Sequence, residues 1–180
     1  MNISYQIIRS NRKSMAIEIR GGQVLVRCPR QMSDAQVRRF VESKSEWIEK
    51  QLREVASQPQ LPPFTVAQIR ELADRALAVI PARVAYFAPL VGVDYHRITI
   101  RNQRSRWGSC SSDGNLNLNC LLMLVPPEVL DYVVVHELCH RKQMNHSPDF
   151  WREVEKVMPH YRQCRDWLKK NGGSLIARLP

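Results

Sequence analysis

His136-Glu137-Leu138-Cys139-His140, with His146 six residues further on, is the segment from which the architecture of this 180-residue chain can be read. On an α-helix, positions i and i+4 lie one above the other on a single face, so His136 and His140 point the same way. Two imidazoles so placed can hold one metal ion, each at about 2.0–2.1 Å. Glu137 is turned by about 100° from His136. That keeps it out of the ligand set but within reach of a water on the metal. The segment thus supplies two ligands and a base.

His146 sets a condition on the chain between. On a continued helix it would point about 240° away from His140, so it can join the other two only if the helix stops first. The sequence offers the stop. Asn145 tolerates a left-handed backbone, and Ser147-Pro148 begins a new helix. The same three-histidine spacing occurs in metzincin proteases, which place Gly in the turn. Gln143 stands at that position here, so a different turn is required. Three imidazoles leave a fourth position for water, the open form of a catalytic zinc site. Cys139 is the nearest thiol, but it should face away from the metal.

Working outward, Pro126-Pro127 opens the helix, expected from Glu128 to about Met144. Val133-Val134-Val135 suits a strand by propensity alone; the histidine spacing overrides it. Ser147 caps a helix from Phe150 to Met158. Pro159 interrupts, and a last helix is expected from about His160 to Asn171, ended by Gly172. Upstream, Arg97–Gln103 alternates as a strand with Ile98 and Ile100 inward. Residues 104–114 read as a loop, and 115–120 as a second strand with Leu116, Leu118 and Cys120 on one face. Asp113-Gly114 marks the turn between.

Nearer the N-terminus, three alternating runs (Ile3/Tyr5/Ile7, Met15/Ile17/Ile19, Val24/Val26/Cys28) read as a β-meander, with Gly21-Gly22 in a hairpin turn. Ser33 caps one helix through about Val55 whose apolar face has Lys44 as its exception. Residues 57–64 hold three prolines and read as a linker. Thr65 caps the next helix, with Pro81 near a kink or an end. The expected organisation is therefore 1–56, a linker at 57–64, and a catalytic part at 65–180, joined in one compact unit.

Composition narrows the class. Hydrophobic residues make up 44% and charged residues 24%, an ordinary globular balance. The first residues lack a basic region followed by an apolar run, so no secretory signal is read. The most apolar window, Ala76–Val93, contains Arg83 and two prolines, which argues against a membrane span. Five cysteines without C-x-x-C spacing point to reduced thiols in the cytoplasm. The formal net charge of +10 is spread along the chain; it suits a soluble surface, and it leaves a nucleic acid or another polyanion as a possible partner.

Residues 104–151 resemble the YgjP-like metallopeptidases, relatives of the SprT-like zinc proteases. The matching pieces are Arg106-Trp107-Gly108-Ser109-Cys110-Ser111, Gly114-Asn115-Leu116-Asn117-Leu118-Asn119, Tyr132 to His140, and Asn145-His146-Ser147-Pro148-Asp149-Phe150-Trp151. The run Val24 to Pro29 and the helix with Lys44 and Trp47-Ile48 are similar to that family too, and the likeness is weakest over 57–96. The resemblance implies an α+β, minimal zincin-like fold, in which a small twisted sheet packs on the active-site helix. It implies Zn2+ held by His136, His140 and His146, and Glu137 as the catalytic acid/base. SprT-like relatives include proteases acting on DNA-bound proteins.

The expected activity is zinc-dependent hydrolysis of peptide bonds in a peptide or protein substrate. A DNA-associated protease and a non-enzymatic zinc-dependent binding module are the alternatives. Tyr161, Arg106 and Trp107 are candidates for contacting the substrate or stabilising the oxyanion. His160, which follows the third histidine closely along the chain, is a further candidate for the oxyanion. Ser147 and Asp149 are expected either to bond a ligand imidazole or to cap a helix. Asn119 is expected to orient a ligand or a loop or to satisfy a strand edge, and Met144 and Met158 to serve as packing residues. Arg97, Arg101, Arg104 and Arg106 form a stretch without an acid that reads as a solvated face or a contact for an anionic partner.

Overall fold

A computed structural model describes residues 3–20, 22–57 and 61–180. The chain forms two compact units, Met1–Leu61 and Pro62–Pro180. No described helix is long and apolar enough to cross a membrane.

In the first unit, β1 (Tyr5–Ser10), β2 (Ala16–Arg20) and β3 (Gln23–Pro29) form one sheet in the order β1-β3-β2. The strands lie where the alternation puts them, but they are not a meander. β1 runs parallel to β3, and β2 antiparallel to it. The reason is burial. Val24, Val26 and Cys28 give β3 the buried face of the sheet, so β3 takes the centre with a neighbour on each side. Gly22 turns β2 into β3 at φ 78°, a region open to glycine; Gly21 lies outside the described residues. Ser33 caps α1 (Asp34–Glu42) through a capping box with Gln36. The single helix expected to Val55 is two, α1 and α2 (Ser45–Ser57), and the break falls at Ser43-Lys44. Lys44, the misfit on the apolar face, sits where the helix stops.

The second unit starts with another capping box, Thr65 with Gln68, which opens α3 (Val66–Val91). Pro81 and Pro89 lie inside α3 without ending it; Gly92, at φ 76°, does. Then follow β4 (Arg97–Arg101), β5 (Gly108–Cys110) and β6 (Asn115–Asn119), in the order β4-β6-β5. β4 is parallel to β6 and β5 antiparallel. β5 lies inside the stretch expected to be all loop. Its three residues are too few to show alternation, and pairing with β6 makes them a strand. A 3₁₀ turn (Cys120–Leu124) leads to α4 (Pro127–Cys139), α5 (Pro148–Val157) and α6 (Tyr161–Ala177).

α4 is the centre of this unit. It packs on α3, α5, α6, β5 and β6. Val129, Leu130, Tyr132, Val133, Val134, Val135, Leu138 and Cys139 are all buried. A helix apolar on every side is one surrounded by protein. Valine costs a helix a few tenths of a kcal/mol relative to alanine, whereas burying each of the three returns about 1.5–3 kcal/mol. That difference decides the ambiguity of Val133–Val135 in favour of helix. α3 packs on α4 and buries Leu72, Ala76, Ile80, Val84, Phe87 and Val91 in the same core, and β6 turns Leu116 and Leu118 inward. Arg83 clamps α3 to α4 with two 2.7 Å bonds to the carboxylate of Asp131.

α6 does not end at Asn171. It runs through Gly172 and Gly173 to Ala177. Gly172 is needed for close approach: a Cβ there would lie 3.0 Å from Nε1 of Trp107. Met158 packs against the core, but Met144, expected to pack as well, is 55% exposed. All five cysteines are free.

Candidate metal centre

α4 ends at Cys139, five residues sooner than its pattern suggests, and His140 is its C-cap. The chain then turns over residues 140–147 and re-enters a helix at Pro148. No described residue other than glycine has a positive φ, so Asn145 is not left-handed. Its side chain works instead: Oδ1 accepts the N–H of Ser147 at 3.0 Å, closing a turn. Ser147 Oγ accepts the N–H of Phe150 and caps α5, and Asp149 pairs with Arg152. Neither is bonded to an imidazole.

The turn brings the three histidines together. Their ligand atoms lie within 4.8 Å of one another. Nε2 of His136 and Nε2 of His146 are 3.1 Å apart. Nδ1 of His140 is 3.0 Å from the carbonyl of Gln143. With its proton on Nδ1, His140 donates there and keeps Nε2 free for a cation. The turn that lacks glycine is thus held by Gln143 through its backbone.

Phe150 builds the floor. It is fully buried, and its ring centroid lies 4.9 Å from His136, 4.6 Å from His140 and 4.9 Å from His146. Trp151 adds a wall 5.8 Å from both His136 and His146. Sequence reasoning missed Phe150, although its place one turn after the Ser147 cap was the available signal.

The electrostatics fit a cation. Burial, with His140 and His146 beside it, pushes the pKa of His136 down to about 3; burial also lowers that of His140. Nδ1 of His136 is buried without a hydrogen-bond partner. Neutral imidazoles that converge in this way form a donor set suited to a divalent transition metal.

Glu137 is buried next to them, and burial raises its pKa to about 8, with the charge of Arg106 pulling the other way. It is pressed against β5: a Cβ on Gly108 would lie 2.6 Å from its Oε1. The remaining candidates are scattered around this centre. Arg106 is exposed, and Trp107 packs its indole on Gly172. Tyr161 is buried one ring behind the site, stacked 5.3 Å from Trp151 and 6.3 Å from Tyr132. Tyr132 meets His136 edge-on at 5.8 Å. His160 is the exposed N-cap of α6. Cys139 is buried, its thiol pushed up to about 12. Asn119 orients a loop: its amide donates to the carbonyls of Gln103 and Arg106.

The family model described as YgjP-like, metallopeptidase domain, matches residues 13–70 and 64–171. The metallopeptidase zymogen abylysin of Pyrococcus abyssi is 26% identical over 52% of this chain and 96% of its own, with a TM-score of 0.48. No curated protein matches. With a match spanning most of its length, and three histidines converging beside a buried glutamate, the chain belongs to the YgjP-like metallopeptidase family.

Proposed function

We propose that the protein is a zinc-dependent peptidase. The observation that carries this reading is the convergence of His136, His140 and His146 next to Glu137. The three imidazoles would hold the ion. When bound, zinc supplies Lewis acidity that activates water and polarises the scissile carbonyl.

The chain's own residues do the rest. The Gln143 carbonyl holds the His140 ring in the tautomer that presents Nε2. Phe150 and Trp151 keep the rings in place and keep solvent from beneath them. Glu137 takes a proton from the attacking water at its carboxylate and returns it to the amide nitrogen as the C–N bond breaks. Gly108 fixes where that carboxylate stands.

The test pairs metal content with cleavage. The purified protein should carry one zinc per chain and cut a peptide library in a chelator-sensitive way. His146→Ala should lose the metal. Glu137→Gln should keep it and lose turnover by about 10²–10⁴-fold. Zinc retained in Glu137→Gln with undiminished cleavage would overturn the role of Glu137. Zinc bound without any cleavage by the parent protein would favour a binding module.

A further inference from the structure

Cations of the second unit come in two kinds. Many are paired: Arg83 with Asp131, Arg141 with Asp94, Lys142 and Lys156 with Glu153, Arg152 with Asp149, Arg162 with Glu155. The arginines of residues 97–106 are not. Among the described residues, no ion pair involves Arg97, Arg101, Arg104 or Arg106, and all four are exposed. Arg101 reaches only the side-chain oxygen of Asn117, at 3.2 Å. No Asp or Glu occurs between Asp94 and Asp113.

The topology gathers three of them at one end of the sheet. β4 ends at Arg101, β5 starts at Gly108, and both flank β6, so residues 102–107 cross the end of β6 at Asn119. Asn119 is fully buried and pins that crossing. Its Nδ2 donates to the carbonyls of Gln103 at 2.7 Å and Arg106 at 3.0 Å, and its N–H to that of Trp107 at 2.9 Å. Arg101, Arg104 and Arg106 therefore ride on a short loop tied to the core. Two residues past Arg106, Gly108 lies against Glu137. Like charges carried on one short loop repel, and an arriving anion relieves that repulsion.

We propose that the 101–106 loop is an anion-recognising subsite, and that the preferred substrates are peptides with Asp or Glu close to the scissile bond. This rests on the peptidase reading above. Guanidinium groups suit carboxylates because the planar fork matches both oxygens. A nucleic acid is the weaker fit. Tight phosphate binding uses about 6–10 contacts along a backbone, whereas this loop offers three, joined directly to the catalytic centre.

The test uses the zinc-loaded protein and two fluorogenic peptide libraries, identical except that Asp and Glu in one are Asn and Gln in the other. The acidic library should be cut with about tenfold higher kcat/KM at about 50 mM salt, falling to about twofold at about 500 mM as screening grows. The double variant Arg101→Gln/Arg104→Gln should shrink the preference at least threefold, through KM rather than kcat. A fluorescent acidic peptide should also bind the non-turnover Glu137→Gln protein, and weakly when the arginine changes are added. Equal cleavage of the two libraries overturns the subsite and leaves the peptidase reading standing. Cleavage of neither overturns both. A single-stranded oligonucleotide that displaces the acidic peptide at lower concentration than a neutral-competitor control, while library preference is absent, assigns the loop to nucleic acid and overturns the proposal.

Discussion

The backbone of Gly108 and the carboxyl group of Glu137 compete for one space: a Cβ on the glycine would lie 2.6 Å from Oε1, 2.7 Å from Cγ and 2.8 Å from Cδ of the glutamate. Real Cβ atoms do not approach so closely. The carboxyl group on α4 is therefore positioned by the absence of a side chain on β5. Gly108→Ala should displace Glu137 and cut kcat about a hundredfold, the cost of misplacing a reacting group by about an ångström. Zinc content should be unchanged, because the atoms that a Cβ would meet first belong to Glu137 and not to an imidazole. Retained kcat with an intact circular dichroism spectrum would show that Glu137 can work from elsewhere.

Phe150 supports all three imidazoles at 4.6–4.9 Å. Phe150→Leu leaves a gap beneath them, so the protein should lose about 1–3 kcal/mol of stability and bind zinc about tenfold more weakly, as when a ligand loses its support. Competition with a metallochromic chelator measures the second effect. Unchanged zinc affinity with lowered stability would make the ring a packing residue only.

The Arg83–Asp131 pair joins α3 to α4 with two parallel bonds, and Arg83 also lies 5.1 Å over the rings of Tyr86 and Phe87. The pair is partly exposed, with side chains 37% and 17% accessible. Screening limits it, and the fork geometry favours it. A double-mutant cycle with Arg83→Ala and Asp131→Ala should give a coupling of about 1 kcal/mol, smaller at high salt. Zero coupling at low salt would mean that the clamp contributes nothing beyond packing.

Two groups at the centre give the metal-free protein opposite pH slopes. The pKa of His136 is lowered to about 3, so below its ordinary 6.5 the unfolded chain takes up a proton that the folded chain refuses. Stability is then lost as pH falls from 6.5 toward 3. The pKa of Glu137 is raised from 4.5 to about 8, so its contribution is full below 4.5 and is lost as pH rises through 8. Thermal unfolding of the metal-free protein should therefore fall away on both sides. Glu137→Gln should remove the loss on the alkaline side and keep the one on the acid side. Parallel curves for parent and variant between pH 5 and 9 would contradict the buried protonated carboxyl.

Local chemistry was readable along the chain wherever one residue answers to its near neighbours. Ser33, Thr65 and Ser147 each cap the helix expected of them, since a hydroxyl three residues before a free N–H needs no tertiary help. The helical pair His136/His140 follows from periodicity in the same way. Signals that depend on distant partners misled. Gly172 reads as a stop, yet its small size serves Trp107, more than sixty positions earlier. Pro81 reads as a kink or an end, and packing carries α3 past it. β5 has no pattern of its own and exists because β6 pairs with it.

What the sequence determined by itself is the inventory: a helix bearing two imidazoles and a carboxylate, a third imidazole beyond a necessary break, and the strands and caps around them. These rest on spacing, which the covalent chain sets before folding. Tertiary structure alone decided that β3 lies between β1 and β2, that Phe150 sits beneath three rings, that Asn119 ties down the arginine loop, and that Gly108 meets Glu137. Each of these joins residues far apart along the chain, and only burial of the shared core selects which such pairs meet.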